Sequence, residues 1–365
     1  MRTAVVHDWL NGMRGGEKVL EALLPRLPEP TVFTLFHVPG AVSPGIERYP
    51  IRASWLNRLP FARRGYRNYL PLFASAVESF DLSGFDLVVS SSHCVAKGAI
   101  ARAGAPHLCY CHTPVRYAYD QLALYVPPSA WAPMRGFKVA ALAHLREWDV
   151  RTASRPTRYL ANSNAVADRI RRFYEREATV VHPPVDVAFY DGGGGGGRRR
   201  DFLLCVGALV PYKRFDLAIE AARRLKRRLV LVGRGPEEGR LRRLAQAGPS
   251  VEFLSGMPPK GLRELYRQCA LYLQPGEEDF GISAVEALAC GAPVVALGRG
   301  GARDVVRDGE NGILFTDEGA EGLAAAVERA AGIGFDYTLL RASALPFRPE
   351  RFADEFDAAV RELLA

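Results

Sequence analysis

Short apolar runs alternate along the chain with longer stretches in which apolar positions recur at helical spacing. The runs Thr3–His7, Phe85–Ser90, His107–Cys111, Arg158–Ala161 and Thr179–His182 predict strands. Between them, Gly16–Leu27 (closed by Pro28) and Ala165–Tyr174 read as helices. The alternation stops at six consecutive glycines, Gly192 to Gly197, followed by Arg198, Arg199 and Arg200. Such a run suits neither a helix nor a strand interior and predicts a flexible linker. Beyond it the pattern resumes, with strands at Phe202–Val206, Arg228–Val232, Val251–Leu254, Leu271–Gln274 and Pro293–Ala296. Helices are predicted at Phe215–Arg224, Pro236–Ala247, Leu262–Cys269 and Ile282–Cys290, with a terminal amphipathic helix at Arg351–Leu364. Strands alternating with helices predict parallel sheets covered on both faces. Two α/β domains separated near residues 186–200 follow, with the cleft between them as the expected site.

Composition narrows the class. The 365 residues fit two domains of ~100–200 residues each. A chain that is 48% hydrophobic and 24% charged is globular over most of its length. No apolar stretch reaches the roughly eighteen residues of a membrane span. His7 and Asp8 interrupt the start too early for a signal peptide, so the protein is expected to stay in the cytoplasm. The six cysteines, at 94, 109, 111, 205, 269 and 290, form no Cys-x-x-Cys pair and are expected to be reduced core residues. The net charge of +8 is a modest pointer to an anionic partner, because six of the 48 basic residues are lysine and the arginine skew suits a GC-rich genome.

Four stretches carry candidate chemistry. The first runs from Glu278 to Ala296, Glu-Asp-Phe-Gly-Ile-Ser-Ala-Val-Glu-Ala-Leu-Ala-Cys-Gly-Ala-Pro-Val-Val-Ala. It places Glu278 on the loop after a strand, Glu286 just over one turn into a helix, and Gly281 at the helix start. Amides there can bind an anion, and each carboxylate can accept two hydrogen bonds from vicinal hydroxyls. The second is Gly207-Ala208-Leu209-Val210-Pro211-Tyr212-Lys213-Arg214-Phe215, which also follows a strand and opens a helix. The third is Asn11-Gly12-Met13-Arg14-Gly15-Gly16-Glu17-Lys18, a glycine turn after the first strand. The fourth is Cys111-His112-Thr113-Pro114-Val115-Arg116-Tyr117-Ala118-Tyr119-Asp120, in which His112 ends a strand.

Together these stretches resemble the retaining GT-B glycosyltransferases of family 4, in the family's order and over nearly the whole chain. The resemblance implies two Rossmann-like domains about a central interdomain cleft. Residues 1–186 would form an acceptor-side domain, 187–200 a linker and 201–346 the nucleotide-sugar-binding domain, with 347–365 a terminal helix crossing back to the first domain. It implies a sugar moved from a nucleotide-sugar donor with retention, by a front-face reaction. His-Thr-Pro-x-Arg-Tyr resembles the mannosyltransferase branch of bacterial surface-polysaccharide synthesis, which implies GDP-mannose as donor, a lipid-linked glycan as acceptor and the inner face of the plasma membrane as location. By the same resemblance Gly15 and Gly16 approach the donor and His112 lies beside its sugar. Lys213 with Arg214 holds the diphosphate, Glu278 binds sugar hydroxyls and Glu286 the ribose, with Phe280, Gly281 and Ile282 alongside. Arg116 and Asp120 are candidates on the acceptor side. One departure stands out: the family's usual arginine in the second stretch is Ala208 here.

No metal-ligand cluster is visible, so no metal or other cofactor is expected, and fixed cations would neutralise the leaving diphosphate. Gly233-Arg234-Gly235 lacks full dinucleotide spacing, since Gly239 falls one residue late, which counts against an NAD-dependent dehydrogenase. A non-catalytic glycosyltransferase-like scaffold subunit and a sugar-nucleotide epimerase remain open alternatives. Finally, from Arg48 to Val77 six arginines occur without an acidic residue, interleaved with Trp55, Phe61, Tyr66, Tyr69 and Phe73. This mixture suits an anionic membrane surface or, more blandly, an arginine-rich exposed helix pair. Nucleic acid would suit the charge too, but is not among the expected partners.

Overall fold

The computed structural model describes residues 1–116, 119, 132–191, 201–246 and 250–365. Asp120 and the glycine run lie outside the described residues. The chain divides into two compact units, Met1–Pro184 with Glu350–Ala365, and Val185–Pro349.

Unit 1 is built on seven parallel strands: β1 (Thr3–Leu10), β2 (Pro30–His37), β3 (Ile51–Ala53), β4 (Leu87–Ser92), β5 (His107–Cys111), β6 (Arg158–Ala161) and β7 (Ala178–Val180), in the order β3-β2-β1-β4-β5-β6-β7. The inner strands are buried on both faces, so they read as near-continuous runs rather than alternating ones. The strand order reverses direction between β1 and β4, which are paired with His7 opposite Ser91. β4 starts two residues later than its apolar run and continues through three serines, all buried. The predicted first helix spans Gly15–Leu23, and a short 3₁₀ turn follows at Leu24–Arg26, where Pro25 has no amide hydrogen to continue the ladder.

Unit 2 repeats the design with six parallel strands: β8 (Phe202–Val206), β9 (Arg228–Val232), β10 (Val251–Leu254), β11 (Leu271–Gln274), β12 (Val294–Leu297) and β13 (Gly312–Phe315), in the order β10-β9-β8-β11-β12-β13. Here the reversal lies between β8 and β11. Apolar clusters fill both faces of the sheet. The helix expected over 236–247 spans Glu238–Ala245.

The expected domain limits shift at both ends. Val187–Asp191 is a helix whose Val187 and Tyr190 are buried in the unit 2 core, so this stretch is not linker. Phe347 also belongs to unit 2, with its ring 5.5 Å from that of Phe280. The terminal helix, Pro349–Leu364, buries Phe352 and Phe356 in the unit 1 core with Leu20, Leu23 and Tyr110. Arg26 pairs with Asp357, and Arg351 Nη2 donates to the His182 carbonyl at 2.9 Å. The arginine-rich stretch is not an exposed helix pair. It forms short helical turns that send Leu56, Tyr66 and Phe73 into the core, while Phe61 is 84% exposed and Trp55 41%. All six cysteines are buried thiols outside any disulfide. Among the described residues no helix is long and apolar enough to cross a membrane.

The terminal helix gives a clean stability test. Phe356→Ala removes a fully buried ring and should cost roughly 3–5 kcal/mol. Three of the four tryptophans (9, 55 and 148) are described and lie in unit 1, Trp131 lies outside the described residues, and residues 185–349 contain none. Tryptophan fluorescence in urea should therefore show the unit 1 transition moving to lower urea, and an unchanged midpoint would detach the helix from that core.

Candidate functional site

A parallel sheet sends the carboxyl ends of its strands to one edge, and the chemistry-bearing residues of each unit gather there. In unit 1 the edge is made by β1, β4, β5 and the helix Gly15–Leu23. Asp8, on β1, is buried, and its two carboxylate oxygens accept the backbone amides of His93, Cys94, Val95 and Ala96 at 2.7–2.9 Å. It also faces His93 Nδ1 at 3.2 Å. This carboxylate shapes the turn after β4. Beside it, the Ser91 hydroxyl lies 3.0 Å from His7 Nδ1 and 2.8 Å from His112 Nε2. Glu17 Oε1 stands 3.9 Å from His7 Nε2, while its Oε2 accepts the Arg14 amide at 3.0 Å.

The electrostatics follow from burial. Burial is the largest influence on His112 and lowers its pKa well below the usual histidine value, with His93 and His7 adding to the effect. His93 is lowered chiefly by burial too, against the opposing pull of Asp8. Burial alone would raise the Glu17 carboxyl, but its interaction with the neighbouring His7 holds it below the usual value. Burial thus disfavours the charged forms of His112 and His93, while the ionised form of Glu17 is favoured beside them.

Of the residues expected here, Gly16 and His112 are brought together. A Cβ on Gly16 would meet His7 Cε1 at 3.6 Å and His112 Nε2 at 3.7 Å, ordinary contacts, so space does not demand glycine. Gly15 is the first residue of the helix. Arg116 is buried just beyond His112, and Asp120 lies outside the described residues. Sequence reasoning missed His7, His93 and Ser91 as partners of His112. His7 and Ser91 are the aligned residues of two paired strands, a relation visible only once the strand order is known.

In unit 2 the loop after β11 packs against the turn at Pro211–Lys213. A Cβ on Gly276 would lie 2.1 Å from the Tyr212 carbonyl oxygen and 2.7 Å from Lys213 Cα, so only glycine fits. That contact sets Lys213 Nζ 2.7 Å from Glu278 Oε1. Burial would lower the lysine pKa, but the Glu278 carboxylate outweighs it and the pKa is raised, so Lys213 stays charged. Gly281 caps the Ile282–Ala289 helix in the left-handed region, φ 94°. Its missing Cβ leaves room for the Gln274 amide, which is buried with neither polar atom hydrogen-bonded. A buried amide without partners costs free energy unless something else meets it.

Four expected contributors are placed differently from what their motif suggests. Arg214 is turned toward Asp216, 3.2 Å away, so its charge is already met. The Phe280 ring is buried against Phe347, leaving only its backbone for a ligand, and Ile282 packs on the same core. Glu286 is 3% exposed and accepts the Tyr266 hydroxyl at 3.0 Å. Burial raises the pKa of Tyr266 and Tyr190, and the Glu286 charge raises both further. A cavity of about 270 Å³ opens at the ends of β8 and β9, lined by Gly207, Ala208, Gly233, Arg234, Met257 and Leu262 among others. Arg234, which sequence reasoning passed over in a glycine turn, has no ion-pair partner among the described residues and lines this cavity together with Ala208.

Comparison with known proteins agrees with this arrangement. A family model described as glycosyl transferases group 1 matches residues 197–331, and one described as glycosyltransferase family 4 matches 13–189. A D-inositol 3-phosphate glycosyltransferase of Acidothermus cellulolyticus is 34% identical over 222 residues, 55% of this chain and 50% of that protein. A GDP-mannose-dependent alpha-(1-6)-phosphatidylinositol monomannoside mannosyltransferase of Mycolicibacterium smegmatis is 32% identical over 158 residues, 37% of this chain and 41% of that one. The chain spans about half the length of the curated relatives it matches. The crystal structure of Anabaena HepE in complex with UDP and glucose matches with a TM-score of 0.69 at 18% identity, over 99% of this chain and 100% of that one, a likeness of fold. The fold is that of the GT-B glycosyltransferase structures the chain resembles, and the two family models match successive parts of it.

The Lys213–Glu278 pair can be weighed directly. Removing one member of a buried ion pair strands the other and costs roughly 3–5 kcal/mol, while removing both costs less than the sum. These two side chains are partly open to solvent, so the lower end applies. Thermal unfolding of Lys213→Ala, Glu278→Ala and the double variant should give strong positive coupling; additive losses would mean the pair contributes nothing.

Proposed function

We propose that this protein transfers a sugar from a nucleotide-sugar donor, mannose from GDP-mannose, onto a lipid-linked glycan, with retention at the anomeric carbon. The observation that carries the reading is the Lys213–Glu278 pair, 2.7 Å apart at the start of the Ile282–Ala289 helix. A nucleotide sugar is anionic at its diphosphate and hydroxyl-rich at its sugar. An ammonium paired with a carboxylate offers donors to the first and acceptors to the second. Lys213 holds the diphosphate as its negative charge grows on departure, and the leaving phosphate helps to take the acceptor proton. Glu278 accepts sugar hydroxyls and Glu286 the ribose. In unit 1, His112 accepts a sugar hydroxyl, with Gly15 and Gly16 as the backbone beside it and Arg116 and Asp120 toward the acceptor.

The choice of GDP-mannose rests on the His-Thr-Pro-x-Arg-Tyr resemblance and on the name of the Mycolicibacterium relative. The second positive charge that Ala208 does not supply is assigned to Arg234 rather than Arg214, because Asp216 already neutralises the latter. No metal is assigned a role.

Calorimetry and turnover with GDP-mannose, GDP and UDP test the reading. Lys213→Ala should lower kcat by ~10²–10³, the usual cost of one preorganised charge at a developing anion. Arg234→Ala should weaken GDP binding more than Arg214→Ala, and EDTA should leave turnover intact. UDP binding more tightly than GDP would sink the mannosyl assignment. Absence of turnover with any nucleotide sugar would leave the scaffold reading that Ala208 favours, and a changed donor sugar without transfer would mean epimerase.

The membrane location has its own test. Phe61 stands 84% exposed in a left-handed conformation, φ 57°, beside Trp55 and Arg58. Burying its ring in a bilayer would be worth roughly 1.5–3 kcal/mol. Phe61→Ser should therefore reduce sedimentation with vesicles rich in anionic lipid at least tenfold. Equal sedimentation of the two proteins would remove this stretch from any membrane contact.

A further inference from the structure

Glu286 lies in the second turn of the helix Ile282–Ala289 and is 3% exposed. A carboxylate taken out of water needs donors to offset its lost hydration. Tyr266 supplies one: its hydroxyl donates to Glu286 Oε2 at 3.0 Å. Tyr266 comes from a different element, the helix Pro259–Gln268, and is fully buried. Its ring stands edge-on to those of Tyr190, 6.0 Å away, and Tyr272, 5.8 Å away. A tyrosine has two side-chain torsions, and close packing of this kind leaves neither free to turn. The phenol oxygen is therefore a fixed point beside the carboxylate.

Packing alone does not ask for that hydroxyl. Phenylalanine fills the same shape, and a buried phenol costs free energy unless its oxygen is bonded. Burial raises the Tyr266 pKa and the Glu286 charge raises it further, so the phenol keeps its proton. The constraint does not depend on the state of Glu286, because an O–H···O bond fixes the same two oxygens whichever of them carries the hydrogen. A glutamate has three side-chain torsions, and a tie at one oxygen removes most of that freedom on folding, before any ligand arrives. A carboxylate has about four acceptor positions, so one phenol does not exhaust it.

We propose that Tyr266 is a positioning residue for the donor: it holds the Glu286 carboxylate in the orientation that takes the ribose 2′- and 3′-hydroxyls of the nucleotide. The ribose contact of Glu286 rests on the function proposed above, and the part played by Tyr266 is an addition to it. The consequence is a coupling at a distance. The phenol and the ribose diol meet on one carboxylate without touching each other, so removing either lessens the effect of removing the other.

The test is a cycle of calorimetric binding measurements on the full chain with GDP and 2′,3′-dideoxy-GDP. The parent should bind GDP at least about tenfold more tightly, the scale of hydrogen bonds to a charged group. Tyr266→Phe should weaken GDP about fivefold and leave dideoxy-GDP within about twofold, so the preference shrinks to roughly twofold. In turnover it should raise the donor KM about fivefold with kcat within about twofold of the parent. Tyr272→Phe removes a phenol from the same row of rings and should keep the parent's preference. An equal loss there would make the effect one of packing and overturn the proposal. So would a Tyr266→Phe protein that binds both nucleotides more weakly by one factor, since the preference then survives. Equal affinity of the parent for the two nucleotides would instead remove the ribose contact itself, and the proposal with it. If UDP is the tighter nucleotide, the same cycle runs with UDP and its dideoxy form, so the base does not enter. If Tyr266→Phe does not fold, a crystal structure of the parent with GDP decides. Tyr266 and the ribose hydroxyls on one Glu286 carboxylate support the proposal, and a Glu286 that reaches the ribose only by leaving Tyr266 overturns it.

Discussion

Both candidate sites depend on one constraint: in a parallel sheet every strand delivers its last residue to the same edge. Neighbouring strands that are far apart in sequence then place side chains within hydrogen-bond reach. His7 and Ser91 are 84 residues apart and aligned across β1 and β4. Lys213 and Glu278 are 65 residues apart and follow β8 and β11. Each pair sits where strand order reverses, the place at which the crossover helices diverge and leave the edge uncovered. The chemistry therefore needs no dedicated scaffold beyond the strand order itself.

What the strand order does not supply is the shape of the connecting loops, and each unit solves this by a different device. Unit 1 uses a buried charge. Asp8 gathers four amides of the turn after β4, and those charge-assisted bonds offset the cost of burying a carboxylate. Unit 2 uses absence of bulk. Gly276 lets the loop that carries Glu278 lie directly on the backbone of Tyr212 and Lys213. A charge fixes the first turn by attraction and a glycine fixes the second by close contact.

The same contrast explains what could be read from the chain. The alternation of elements and the motif around Glu278 and Glu286 were legible, because they are local patterns of apolar spacing and turn residues. β2, β3 and β13 were not foreseen, and neither were Ser91 and Ser92 at the end of β4, since buried serines leave no apolar signature. The partners of His112 were illegible for a related reason: nothing local marks His7 or Ser91, and only register joins them. Arg214 shows the opposite failure. Its motif position suggested an anion contact, but Asp216, two residues on, is the nearer charge. Glu286 was legible as a residue of interest, yet its contact with Tyr266 depends on a helix-to-helix packing that sequence spacing does not encode.

The charge balance of the unit 2 site bears on what it can hold. Lys213 and Glu278 together are neutral, so at a distance they exert little field on an approaching anion. At contact the pair remains unsaturated. Among the described residues the ammonium uses one of its three donors on Glu278, and a carboxylate has about four acceptor positions. A ligand with only an anion would have to pull Lys213 away from its partner, and one with only hydroxyls would do the same to Glu278. A ligand carrying both can engage the two without breaking the bond between them. Under the proposed function, net positive charge would come from elsewhere on the same edge, and Arg234, which has no ion-pair partner among the described residues and lines the cavity together with Ala208, is the candidate.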